Sequence, residues 1–204
     1  MAKLLLVRHG ITEYNISRRF AGHSDVKLGA EGYRQVERLR DRLAGEKIDA
    51  AYSSDLKRAR VTAEIISSGR ELDIVTCTEL REINYGEVEG LTFDEIKQRY
   101  PEVAKLVSKF DLRLEFPDGE SFQGLIERTI TFLNRLEKYE PSETILVVSH
   151  SGPLRVLFCH LLGIDQQHWR QIRCANTSLS IVETYPRRAV ISLLNDTSHL
   201  KDGI

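Results

Sequence analysis

The sequence predicts an α/β protein built on a mostly parallel sheet with helices on both faces and an antiparallel tail. Three observations carry that expectation. Strand-like apolar runs alternate with amphipathic helical segments, the rhythm of βαβ units. Leu4-Leu5-Leu6-Val7 and Ile145-Leu146-Val147-Val148 are continuously apolar, as in strands buried on both faces. Residues 178–184 and 188–194 alternate apolar with polar around Pro186, the pattern of a hairpin at a sheet edge, which makes the sheet mixed.

The elements follow in order. Residues 3–9 read as the first strand, and 10–30 as loop, punctuated by Asn15, Gly22, Ser24, Asp25 and Gly29. Residues 31–44 form an amphipathic helix with Val36, Leu39 and Leu43 on one stripe, ended by Gly45. Residues 50–53 are a short strand, with Ser54 or Asp55 placed to cap the next helix, which stops near Gly69. Residues 74–77 are the third strand. Residues 92–109 are helical and reset at Pro101; 110–119 are loop; 121–139 read as one long helix. Strand 145–149 leads into helix 152–162, ended by Gly163. No repeat, low-complexity segment or linker interrupts the chain, so residues 1–204 read as a single domain.

Composition narrows the function classes. Hydrophobic residues make up 41% and charged residues 29%, ordinary values for a soluble globular chain. Lys plus Arg number 29 against 30 Asp plus Glu, so there is no global attraction to nucleic acid or an anionic membrane. The three cysteines, Cys77, Cys159 and Cys174, are widely spaced and read as reduced thiols. The apolar run before Arg8 is too short for a signal peptide, and no run is long enough to span a bilayer. A cytoplasmic location is expected.

The chemistry concentrates at strand ends. Arg8-His9-Gly10 follows the first apolar run, and His150-Ser151-Gly152 follows the fourth. In open α/β sheets the ligand crevice lies outside the carboxyl ends of the strands. Arg58 and Arg60 follow the second strand, Glu82 the third, and Asn15 closes the first loop. Two histidines and a glutamate invite a zinc reading. Arg8 beside His9 and Arg58 nearby argue against it, because fixed cations repel a divalent metal and attract a phosphate. A phosphate so held is set for transfer: a neutral histidine serves as nucleophile, the second histidine donates to an oxygen, and a carboxylic acid protonates the leaving group.

Arg8-His9-Gly10-Ile11-Thr12-Glu13-Tyr14-Asn15 is similar to the R-H-G-x-T-x-x-N signature of the histidine phosphatase superfamily. That superfamily includes cofactor-dependent phosphoglycerate mutases and α-ribazole phosphatases. The resemblance continues through Arg19-Phe20-Ala21-Gly22, Ser53 to Ala59, Leu80-Arg81-Glu82 with Tyr85-Gly86 and Glu89-Gly90, then Gly119-Glu120-Ser121, Arg128 and Val148 to Gly152. It covers nearly the whole chain in order and is nearest in layout to the α-ribazole phosphatases. It implies a phosphoglycerate mutase-like three-layer α/β/α sandwich. His9 is then the phosphorylated nucleophile, and Arg8, Arg58 and His150 the phosphate pocket. Glu82 is the proton donor. Asn15, Thr12, Gly22, Ser151 and Gly152 bind substrate. No metal or cofactor is implied.

The stretch 90–116 is short, and its Lys and Arg interleave with Asp and Glu as on a solvated helix face. This favours a phosphatase, with α-ribazole 5′-phosphate the best-fitting named substrate and broad phosphomonoesterase activity close behind, over a phosphoglycerate mutase or a non-catalytic binder of phosphorylated ligands. The expected partner is a small phosphate ester, with no nucleic acid and no membrane, and a homodimer is possible through the edge hairpin. Phe110, Leu112, Leu114 and Phe116 read equally as an apolar lid or as loop packing. Arg18 and Arg19 follow Asn15 and read evenly as contacts to a substrate's far end or as ordinary surface residues. His23 reads as a solvated loop residue or a substrate contact. His160 reads as packed, His168 and His199 as surface, Trp169 as a packing anchor, and Arg187-Arg188 as a hairpin tip.

Overall fold

The computed structural model describes residues 2–186 and 188–201. Strand β1 (Lys3–Arg8) leads through a short helix α1 (Glu13–Ile16) to α2 (Ala30–Arg42). β2 (Ala50–Ser54), α3 (Lys57–Ser67) and β3 (Ile74–Cys77) follow. An excursion carries α4 (Phe93–Arg99), α5 (Pro101–Lys109) and α6 (Phe122–Leu133) before β4 (Thr144–Ser149) and α7 (Ser151–Leu162). The hairpin of β5 (Leu179–Tyr185) and β6 (Arg188–Asp196) comes last. The six strands form one sheet in the order β3-β2-β4-β1-β5-β6. β1 to β4 run parallel; β5 is antiparallel to β1, and β6 to β5.

The apolar run of β1 is continuous because both faces of the sheet are covered. Successive side chains on a strand point to opposite faces. Leu4 and Leu6 pack with Phe132, Leu154, Leu157 and Phe158 under α6 and α7. Leu5 and Val7 pack with Val36, Leu39, Ala59 and Ile66 under α2 and α3. Each such side chain contributes about 1.5–3 kcal/mol by leaving water. A third cluster, with Ile83, Val88, Ile96, Phe116, Phe122 and Trp169, sits beneath the excursion. The α/β architecture expected from the sequence is therefore present, layered helix–sheet–helix.

Several local expectations differ. The segment read as loop contains α1, nucleated by a capping box in which Thr12 and Asn15 bond reciprocally. Neither Ser54 nor Asp55 caps α3: its N-cap is Leu56, whose N–H goes to Ser54 Oγ, and Asp55 is held by Arg81. The long helix expected to reach residue 139 ends at Leu133 and tightens into a 3₁₀ turn over Asn134–Leu136. Asn is a weak helix former, and a tighter last turn is a common way to end. His160 is exposed, off the stripe that buries Leu154, Leu157 and Phe158. The segment after α5 divides: Leu114 and Phe116 are buried, while Phe110 and Leu112 are exposed. Trp169 is buried, and Arg187 lies outside the described residues.

Candidate active site

Sheet register builds the centre of the site. β1 and β4 are neighbours, and Arg8 pairs with Ser149. His9 and His150 each follow one residue later, so two positions far apart in sequence leave the sheet side by side. Their rings stand 4.9 Å apart at 58°. Both side chains are buried.

Hydrogen bonds set each ring's tautomer. His9 Nδ1 lies 2.8 Å from the Gly10 carbonyl. A carbonyl only accepts, so Nδ1 carries the hydrogen and Nε2 keeps its lone pair. The Arg58 Nε–H lies 3.2 Å from His150 Nδ1. That group only donates, so in neutral His150 the hydrogen sits on Nε2. Burial, then the charges of Arg58 and its neighbours, holds both imidazoles well below their usual pKa, so both are neutral at pH 7. The pair thus presents one basic nitrogen and one N–H donor. His150 Nε2 and Arg8 Nε are buried with no partner among the described residues. Buried donors of this kind are normally satisfied, and an oxyanion beside His9 would satisfy both.

Arg58 is fully buried and heavily committed. Besides His150, it donates to the carbonyls of Ser24 (2.8 Å), Ala21 (3.1 Å) and Gly22 (2.6 Å). It therefore clamps the loop after α1 against the histidine pair. Glu89 holds the same loop from the other side, accepting from the N–H groups of Gly22, His23 and Ser24 and from Ser24 Oγ. A side chain at Gly22 would collide with Glu89 and the Ile83 carbonyl.

Glu82 is held as firmly. Its carboxylate accepts from the Gly152 N–H at the start of α7 (3.1 Å), from Ser151 Oγ (3.1 Å) and from the Ile83 N–H (3.0 Å). A helix N-terminus favours this negative charge. Arg128 fixes the backbone beneath it, donating to the carbonyls of Glu79, Arg81 and Glu82 and forming a bidentate pair with Glu120. His23 Nε2 also meets the Glu82 carbonyl at 3.1 Å.

These groups open onto a cavity of about 250 Å³. Of the residues expected at the site, Arg8, His9, Asn15, Glu82 and Ser151 line it; His150 packs against the His9 ring and Arg58 is hydrogen-bonded to His150. Three others take positioning places. Thr12 is buried and spends its hydroxyl on Asn15; Gly22 feeds its carbonyl to Arg58; Gly152 feeds its N–H to Glu82. Asn15 Oδ1 accepts from Thr12 and Asn176, which fixes the amide and leaves Nδ2 as the uncommitted end. The far wall is Tyr14, Arg18, Arg19, Phe20, Tyr85 and Arg170. Arg170 had no sequence signal of its own. It sits in a 3₁₀ segment, Gln166–Gln171, where only the neighbouring Trp169 stands out. Among the described residues no three His, Cys, Asp or Glu side chains are grouped to hold a metal, and the three cysteines are buried and free.

Comparison with known proteins agrees with this geometry. Residues 4–197 match the histidine phosphatase superfamily (branch 1). The chain is 36% identical to phosphoserine phosphatase 1 of Hydrogenobacter thermophilus, over 98% of this chain and 95% of that protein. It is 32% identical to the adenosylcobalamin/α-ribazole phosphatase of Escherichia coli, over 95% of each. The crystal structure of the α-ribazole phosphatase from Shigella flexneri superposes with a TM-score of 0.90 at 29% identity, covering 96% of each chain. Fold and relatives define a phosphoric monoester hydrolase. The chain belongs to the histidine phosphatase superfamily.

Proposed function

We propose that this protein hydrolyses small phosphomonoesters through a phosphohistidine on His9 Nε2, without a metal or other cofactor. The observation that carries this reading is the pair of complementary tautomers: a lone pair on His9 Nε2 beside a hydrogen on His150 Nε2. His9 Nε2 attacks phosphorus as the ester P–O bond breaks. Arg8 and His150 donate to the phosphoryl oxygens, with Asn15 Nδ2 and Ser151 at the pocket's edge. The phosphate monoester, entering as its monoanion, brings the proton to the Glu82 carboxylate, and Glu82 passes it to the leaving oxygen. Water then attacks the phosphohistidine, Glu82 takes the water's proton, and the P–N bond breaks to release inorganic phosphate and free His9. Charge stabilisation in a buried site supplies most of the acceleration. Arg58 contributes through His150 and through the loop it clamps. The domain acts as one unit spanning the chain, in the cytoplasm.

Two leaving groups come from the relatives. The α-ribazole phosphatases match in length and layout, and that substrate would place the reaction in cobalamin biosynthesis; the phosphoserine phosphatase matches at higher identity. A mutase reading rests on 35% identity to phosphoglycerate mutase-like protein 4 of Arabidopsis thaliana. The excursion weighs against it: its cations pair with neighbouring acids, as Lys97 with Asp94 and Lys105 with Glu102. The open edge at β6 is the surface on which two copies would pair. The test is rapid acid-free quench of the enzyme with ³²P-labelled substrate. Wild type should carry an acid-labile, base-stable label, and His9→Ala none. A label that survives His9→Ala, or a variant that still turns over p-nitrophenyl phosphate, overturns the reading.

A further inference from the structure

We propose that the natural substrate carries a carboxylate on its leaving group and that Arg170 binds it. This rests on the phosphatase reading above. Arg170 lines the same cavity as His9, Glu82 and Ser151. Its guanidinium is half-buried, stacked 4.8 Å over Phe110 and 5.2 Å over Trp169, and one N–H reaches the Val107 carbonyl at 3.1 Å. No carboxylate pairs with it among the described residues; the other hydrogen-bonding positions of the fork are uncommitted. A buried charge is normally matched by a counter-charge.

Among the described residues the surroundings supply no carboxylate in contact with it. Arg19, on the same wall, is already matched by Glu95 at 3.1 Å. Arg155 stacks on the other side of the neighbourhood, 5.7 Å over Trp169, and adds positive charge. Among the described residues Glu82 is the one acid lining the cavity; its charge reaches Arg170 across the cleft, but its oxygens are hydrogen-bonded to Ser151 and Gly152 and make no ion pair with the guanidinium. Phosphate charge is met by Arg8 and the histidine pair at the inner end, so Arg170 answers a second anion. A planar guanidinium, held flat by two aromatic rings, presents the fork that fits a carboxylate.

Matched substrate pairs test this. O-Phosphoserine and O-phosphoethanolamine differ by a carboxylate; 3-phosphoglycerate and glycerol 3-phosphate differ by a carboxylate replaced with a hydroxymethyl. Wild type should prefer the acid in each pair. Arg170→Met, which keeps bulk against Trp169, should lower kcat/KM on the acids by about 10- to 100-fold, chiefly through KM, and on the others by less than about threefold. Arg170→Lys should restore part of the loss. Equal loss on both members would mean that Arg170 only supports the fold of the wall, and the proposal fails. It fails too if wild type shows no preference for the acids while hydrolysing p-nitrophenyl phosphate, an outcome that leaves the phosphatase reading standing. No turnover of p-nitrophenyl phosphate would overturn both.

Discussion

On the inner wall of the cleft, His9, His150, Arg58 and Glu82 are each held by groups that leave one arrangement: a carbonyl on His9, a guanidinium on His150, three carbonyls on Arg58, a helix N-terminus on Glu82. On the outer wall, Arg18 is exposed at a positive φ, Arg170 has one hydrogen bond, and Phe20 and Tyr85 meet edge to face. The inner wall is pre-organised where charge would develop in the proposed transfer. The outer wall is made of long side chains on short helical turns and loops, the parts of a fold that vary with ligand. In the proposed reaction, chemistry and substrate choice are carried by different kinds of structure, and substitutions should separate them.

The largest effect belongs to the inner wall. His9→Ala removes the proposed nucleophile and should lower kcat by on the order of 10⁴-fold on every substrate. A loss confined to one substrate class would break the division between the walls. Glu82→Gln should cost about 10²- to 10⁴-fold with a poor alkoxide leaving group and much less with p-nitrophenolate, which departs without a proton. Equal losses on both would remove Glu82 from the acid role.

Gly152→Ala probes positioning without touching substrate, since its Cβ would collide with Glu82 Oε1. It should reproduce a leaving-group-dependent loss of about tenfold or more. If p-nitrophenyl phosphate and an alkyl phosphate suffer alike, the displaced group is not the acid. Arg18→Ala, at the outer wall, should change KM by less than about tenfold and leave kcat unaltered; a fall in kcat would merge the two walls.

The inner wall also predicts a pH response. His9 and His150 are held below their ordinary value of 6.5 in the fold, chiefly by burial. As pH falls through 6.5 the unfolded chain takes up protons that the folded chain refuses. Stability is therefore present above pH 6.5 and is lost below it, by up to about 1.4 kcal/mol per pH unit for each histidine. Urea midpoints between pH 7.5 and 5.5 should fall, and His150→Ala should flatten the slope. Unchanged slopes would mean that both rings titrate normally.

Pattern and spacing made much of this legible. An uninterrupted apolar run implies a strand covered on both faces, and a strand must end at a rim, so His9, Arg8 and His150 could be placed at one edge before any contact was known. Local chemistry was less visible. Thr12 and Asn15 lie three residues apart in what looked like loop, and only the backbone turn between them reveals a capping box. His160 looked buried because its neighbours are apolar, yet the helix turns it away from the core.

Sequence by itself determined the class of fold, the two histidines, and the cations that favour an anion over a metal, because those depend on local periodicity and residue type. Only the tertiary structure decided which nitrogen of each imidazole carries its hydrogen and that, among the described residues, Arg58 grips a loop while Arg8 keeps a free donor and Arg170 faces the cleft without a carboxylate partner. Those outcomes turn on backbone carbonyls and ring faces brought in from distant segments, which all chains have and no motif marks.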